Sequence, residues 1–262
     1  MPGPGLHWRD SGSGPATALF LHGYPLSSAI WDAQLAAVPP GWRFLAPDLP
    51  GFGASPAPRP GITLDDYADE VVHLLDELGV RGAVVCGLSM GGYIAFRMRA
   101  LHPDLMAGLV LMHTRAAPDS PDARQARYAT AQRAQQEGVA PIAEAMLPRL
   151  LSEETRQRRP DVVERLRGIT ATATVAGVVA AQQAMAARPD STPLLPRLDV
   201  PALVVAGEDD TLAPAAEMRG MAEAIPGAAF VLLPGAAHLS CMEVPAPVNA
   251  VLSDFLGALP GR

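Results

Sequence analysis

Gly87-Leu88-Ser89-Met90-Gly91-Gly92 constrains this chain more than any other stretch. The apolar run Ala83-Val84-Val85-Cys86 leads into it and Tyr93-Ile94-Ala95-Phe96 follows it, an order that reads as strand, sharp turn, helix. Turning from strand to helix within so few residues brings the two elements close together, so the positions around the serine must lack bulk. The strain lifts the Ser89 hydroxyl clear of the sheet edge, and the free amides at the start of the next helix face the same spot. Such a turn suits a nucleophile. Its plain alternative is a glycine-rich connection carrying an ordinary serine.

The remaining sequence supplies a sheet around that turn. Leu6-His7-Trp8-Arg9 predicts an edge strand closed by a turn over Asp10–Pro15, and Ala18–Leu21 a buried strand ending at His22-Gly23-Tyr24-Pro25. Ser28–Val38 carries helical spacing, Phe44–Pro47 is a further strand, and Thr63 with Asp66 predicts the N-cap of a helix reaching about Leu78. After the turn at Ser89 come a helix to about His102 and a strand over Gly108–Met112; strands over Leu203–Ala206 and Ala229–Leu233 and a helix from about Pro247 to Leu259 complete the pattern. Strands alternating with amphipathic helices define an α/β class with a mostly parallel sheet covered on both faces. Between about Ala116 and Arg188 no buried-strand run occurs, only Ala-, Arg- and Gln-rich sequence broken by prolines. This predicts a core of residues 1–115 and 189–262 with a helical cap over 116–188.

Composition bounds the partners. A chain of 262 residues, 49% hydrophobic and 18% charged, fits one sizeable domain with an insertion, and a net charge of −7 argues against a nucleic-acid footprint. Met1-Pro2-Gly3-Pro4-Gly5 has no basic segment followed by an apolar one, and no run approaches the length of a membrane helix. A cytoplasmic protein without a membrane partner, monomeric or homodimeric, is therefore the expectation. Cys86 and Cys241 read as small apolar residues rather than a disulfide.

Parallel sheets place their active crevice at the carboxyl ends of the strands. The loop after Ala206 carries Gly207-Glu208-Asp209-Asp210, and the loop after Leu233 carries Pro234-Gly235-Ala236-Ala237-His238. A serine hydroxyl needs a base to take its proton during attack, an imidazole can do this near neutral pH, and a carboxylate fixes its tautomer. Serine, acid, histidine is the chain order expected on such a sheet, which selects Ser89, Asp210 and His238. Asp209 is the alternative acid. His113, ending a strand, is the rival histidine, although it follows Ser89 closely. The amides of Met90 and Tyr24 are the candidate donors to an oxyanion. Asp48 with Gly51 and Gly53 reads as scaffold, as does His22. The histidines are scattered and the acids at 208–210 lack neighbouring ligands, so no metal or cofactor is expected.

Taken together, His22-Gly23-Tyr24-Pro25, Asp48-Leu49-Pro50-Gly51-Phe52-Gly53, the Ser89 turn, Gly207–Asp210 with Pro214, and Gly235–Ser240 resemble the α/β-hydrolase superfamily across nearly the whole chain. The segment from His238 through Glu243-Val244-Pro245 to Phe255 looks like bacterial carboxylesterases and 3-oxoadipate enol-lactonases. The resemblance implies an α/β-hydrolase fold, a Ser89–Asp210–His238 triad with Tyr24 and Met90 as oxyanion donors, and a small ester as substrate. A lactone is the alternative substrate, with Arg115 or cap arginines such as Arg124 as its cationic partner. A non-catalytic ligand-binding protein of the same fold is the second alternative. Met146, Met185, Leu147, Leu150, Leu151 and Val178 are candidate pocket linings.

Overall fold

The computed structural model describes residues 5–259; Met1–Pro4, most of the stretch read above for a leader, lie outside the described residues. The chain runs through β1 (Trp8–Gly12), β2 (Ala16–Leu21), a 3₁₀ turn at Ser28–Trp31, α1 (Asp32–Leu35), β3 (Trp42–Pro47), α2 (Leu64–Glu77), β4 (Ala83–Leu88), α3 (Met90–Leu101) and β5 (Met106–Met112). Five helices follow: α4 (Pro121–Glu137), α5 (Ala140–Leu150), α6 (Glu153–Arg158), α7 (Pro160–Thr170) and α8 (Val175–Ala186). The sheet then resumes with β6 (Ala202–Gly207), α9 (Ala215–Glu223), β7 (Ala229–Leu233), α10 (Ser240–Glu243) and α11 (Pro245–Gly257).

The seven strands form one sheet in the order β1-β3-β2-β4-β5-β6-β7, parallel throughout except for β1, which pairs antiparallel with β3. β2, β4 and β6 are buried along their whole length, as near-continuous apolar runs in a sheet covered on both faces require. Alternate residues of β2 to β6 feed two separate cores. Leu19, Leu21, Val85, Leu109 and Val204 meet α2, α3 and α9 on one face. Ala18, Phe20, Val84, Val110 and Leu203 meet the Ser28–Leu35 segment and α11 on the other. The helices between β5 and β6 join both cores, Val178 and Ala181 the first and Leu150 and Leu166 the second.

Several sequence boundaries shift. The predicted turn over Asp10–Pro15 starts three residues too early, because Asp10, Ser11 and Gly12 continue the β1 ladder against Leu45, Phe44 and Arg43. Ser28–Val38 forms a 3₁₀ turn and one α-turn rather than a continuous helix. Thr63 does cap α2 reciprocally with Asp66, and Gly79 follows with φ +68°. Among the described residues, no single helix is long and apolar enough to cross a membrane.

Candidate active site

Ser89 sits between β4 and α3 with φ 55° and ψ −114°, a conformation that costs energy for any residue with a side chain. Its backbone is pinned from one side: Ser89 N–H donates to Met112 O at 2.9 Å, and Thr114 Oγ1 donates to Ser89 O at 2.8 Å. The glycines explain how the turn fits. A Cβ on Gly87 would lie 2.4 Å from Gly91 O, and one on Gly91 would lie 2.2 Å from Leu21 O, so no side chain can stand at either position. Ser89 is half-buried, and its hydroxyl has no hydrogen-bond partner among the described residues.

The loop after β2 approaches the serine closely, since a Cβ on Gly23 would lie 3.1 Å from Ser89 Cβ. His22 shapes this loop. Its Nδ1 is 2.8 Å from Gly23 O and its Nε2 accepts from Leu49 N–H at 2.9 Å, which makes Nδ1 the protonated nitrogen. Burial pushes the His22 pKa down to about 4, consistent with a neutral ring fixed by two backbone groups. Gly23 O also accepts from Leu26 N–H at 3.0 Å. In a trans peptide the N–H points opposite to the C=O, so these two bonds turn the Tyr24 N–H the other way. Neither Tyr24 N–H nor Met90 N–H donates to any acceptor among the described residues. Both amides predicted as oxyanion donors are therefore without an acceptor among the described residues.

Asp210 and His238 meet as the sequence reading requires. His238 Nδ1 lies 2.8 Å from Asp210 Oδ2, with both side chains buried. The second carboxylate oxygen, Oδ1, accepts from Leu212 N–H at 2.8 Å and Ala213 N–H at 3.1 Å. Burial alone would raise the Asp210 pKa, but the charge of His238 and hydrogen bonds from two imidazoles outweigh it and hold the carboxyl well below the usual range. Asp209 instead donates its N–H to Ala236 O at 2.9 Å and stays exposed, a turn residue.

The second imidazole is His113. His113 Nδ1 reaches the same Asp210 Oδ2 at 2.9 Å, and its Nε2 lies 2.7 Å from Ser240 Oγ. From sequence His113 is a rival to His238; the fold instead brings both to one carboxylate, so the histidines are not all scattered. His113, Asp210 and His238 place potential ligand atoms within 4.8 Å of one another. Contacts of 2.8 and 2.9 Å to a single oxygen are hydrogen-bond lengths, whereas a tetrahedral zinc with bonds of about 2.0–2.1 Å would spread its ligand atoms to about 3.3 Å.

Ser89, His238 and Tyr24 open onto one cavity of about 420 Å³. Its far wall comes from α4, α5 and α8 and includes Ile142, Met146, Met185 and Gln182. Of the linings predicted from sequence, Met146 and Met185 reach the cavity, while Leu147, Leu150, Leu151 and Val178 are core side chains. The wall is also cationic: Arg115, Arg127, Arg133 and Arg149 line it, and Asp119 is its only acid among the described residues. Asp119 is engaged by Arg127 and by the buried Arg188, which lies 4.3 Å over the Tyr93 ring. Arg115 pairs with Glu217 and Arg133 with Glu137, acids outside the cavity, and Arg149 has no ion-pair partner among the described residues. Arg124, one of the arginines singled out in the sequence, does not line it.

An elbow serine, an acid and a histidine at three strand ends of a mostly parallel sheet define the α/β-hydrolase class. The family model described as alpha/beta hydrolase fold matches residues 19–245, and the chain belongs to that family. Among solved structures it is similar to a thermophilic esterase from Thermogutta terrifontis, described as malate bound, at 41% identity and a TM-score of 0.95, over 98% of this chain and 94% of the other. It is similar to the enol-lactonase from Burkholderia xenovorans LB400 at 33% identity and a TM-score of 0.88, over 96% of each chain. Among curated proteins it is 28% identical to 3-oxoadipate enol-lactonase 2 of Acinetobacter baylyi, over 95% of this chain and 94% of that protein.

Proposed function

We propose that this chain is a serine hydrolase of small carboxylic esters acting through an acyl-enzyme. The observation that carries the reading is the Asp210–His238 hydrogen bond of 2.8 Å set beside a strained Ser89, with the serine and the imidazole open to one cavity. In this reading Ser89 Oγ attacks the ester carbonyl while His238 Nε2 takes its proton. The hydroxyl has to swing onto the imidazole to do so, as catalytic serines commonly do once substrate is bound. The negative oxygen of the tetrahedral intermediate rests on the Met90 and Tyr24 amides, each donor of this kind being worth roughly 10²–10³ in rate. His238 then returns the proton to the departing alkoxide, leaving an ester on Ser89. Water attacks that ester with His238 again as base, and the acid leaves. Asp210 keeps the His238 proton on Nδ1 throughout and stabilises the transient imidazolium.

The cationic wall favours a second reading of the same machinery, hydrolysis of a lactone or ester that itself carries a carboxylate. Arg149, with no ion-pair partner among the described residues, is the side chain offered to that group. Replacing Ser89 with Ala and measuring p-nitrophenyl acetate turnover tests the first reading; a loss of about 10⁴ or more is expected. Near-normal turnover would remove Ser89 from the reaction, and no turnover of any ester by the unaltered protein would leave a binding protein. Neutral esters compared with anionic lactones and half-esters divide the two substrate classes.

A further inference from the structure

The Asp210 carboxylate carries more than one histidine needs. We propose that His113 is a positioning residue that shares Asp210 with His238 and thereby sets the pH at which His238 becomes a free base. This rests on the serine-hydrolase reading.

The geometry fixes the roles of each atom. An ionised carboxylate only accepts, so the ring nitrogens facing Asp210 Oδ2, Nδ1 of His113 at 2.9 Å and Nδ1 of His238 at 2.8 Å, both carry protons. His113 is completely buried, and burial lowers its pKa despite the opposing pull of Asp210. The ring is therefore neutral, its Nε2 bears a lone pair, and the Ser240 hydroxyl donates to it across 2.7 Å. A one-way chain results: Ser240 O–H to His113, His113 Nδ1–H to Asp210, with His238 Nδ1–H arriving on the same oxygen. The two rings stand 5.6 Å apart at 63°, side by side on the carboxylate rather than stacked.

His113 is held there at a cost. Its φ is +50°, in the left-handed region that a side-chain-bearing residue seldom occupies, and its N–H is tied to Val205 O at 3.1 Å. The charged or titratable groups acting on it are Asp210, His238 and Glu243. Glu243 is occupied elsewhere, accepting from Ser152 N–H at 2.7 Å and Ala237 N–H at 2.8 Å.

The consequence follows from competition for one oxygen. Each donor to Oδ2 withdraws charge that would otherwise stabilise the His238 imidazolium. With His113 in place, less of the carboxylate's charge is left to the imidazolium of His238. Removing the His113 N–H concentrates the carboxylate on His238 and raises the apparent pKa of the acid limb of kcat/KM.

The test is the pH profile of kcat/KM for His113→Leu, His113→Asn and Ser240→Ala. The Leu variant loses the donor, and its acid limb should move up by about one unit. The Asn variant places an amide N–H where Nδ1 stood, so its limb should stay near that of the unaltered protein. Ser240→Ala weakens the chain one step back and should give a smaller upward shift. A folded His113→Leu protein whose limb is unmoved, or moves down, overturns the proposal, since a purely structural histidine would change stability alone. Should that variant not fold, Ser240→Ala decides by itself: an upward shift supports the proposal and an unmoved or lowered limb overturns it. Proton NMR of the resting protein separates this from failure of the hydrolase reading, because two low-field imidazole N–H resonances from His113 and His238, beside that of the buried His22, are expected whatever the substrate. A single such resonance beside that of His22 contradicts the shared carboxylate even if the protein hydrolyses esters.

Discussion

The strand ends and the helices α4, α5 and α8 face each other across the same cavity, yet they are built on opposite terms. At the strand ends almost every residue answers to backbone geometry: Gly87 and Gly91 admit no Cβ, Ser89 holds a strained φ, and Asp210 spends all its acceptors on named donors. In α4, α5 and α8 the wall is made of helix side chains, where a change of residue alters the shape or charge of the cavity. On the proposed function, the strand ends carry the reaction and the helices shape what is admitted to it.

Breaking the first side should cost far more than breaking the second. His238→Ala is expected to lower ester turnover by about 10⁴ or more while leaving the fold intact, checked by kinetics alongside circular dichroism. Gly87→Ala forces an atom to 2.4 Å from a backbone oxygen and should remove about 3 kcal/mol or more of stability, read from urea midpoints. If that variant were as stable as the unaltered chain, the elbow would be less constrained than described. Acid should destabilise the strand-end region next. His22 is held neutral with a pKa of about 4 against 6.5 in the unfolded chain, so between those pH values the unfolded state binds more protons. Stability is complete above about pH 6.5 and falls toward pH 4, by about 3 kcal/mol from this residue. His22→Asn should flatten that part of the pH dependence of the urea midpoint. On the helical side, Arg149→Ala is expected to leave neutral esters nearly unaffected and to weaken kcat/KM for a carboxylate-bearing ester by about tenfold. Equal effects on both substrates would mean that Arg149 shapes the wall without reading charge.

The same contrast decides what could be read from the sequence. Strand runs, the glycines around Ser89 and the Thr63–Asp66 cap have local physical causes, so they are visible in a window of a few residues. The order of acid and histidine along the chain located Asp210 and His238 because strand-end loops in a parallel sheet gather at one rim. His113 was visible as a strand-end histidine, but its contact with Asp210 spans 97 residues and has no local sign; Ser240, two residues past His238, was the nearest available hint. The cavity wall was legible only in kind. Met146 and Leu147 are neighbours on α5, yet one lines the cavity and the other is core, a difference of helix rotation that the sequence pattern does not resolve. Arg127 and Arg149 reach the cavity while Arg124 does not, for the same reason.

The most direct measurement of the central claim is the site and rate of covalent capture by a serine-directed phosphonate, followed by intact mass and peptide mapping. One adduct per chain on the peptide containing Ser89, forming far more slowly in His238→Ala, is the predicted result. Capture at another residue, or capture at Ser89 that proceeds equally fast without His238, would contradict it.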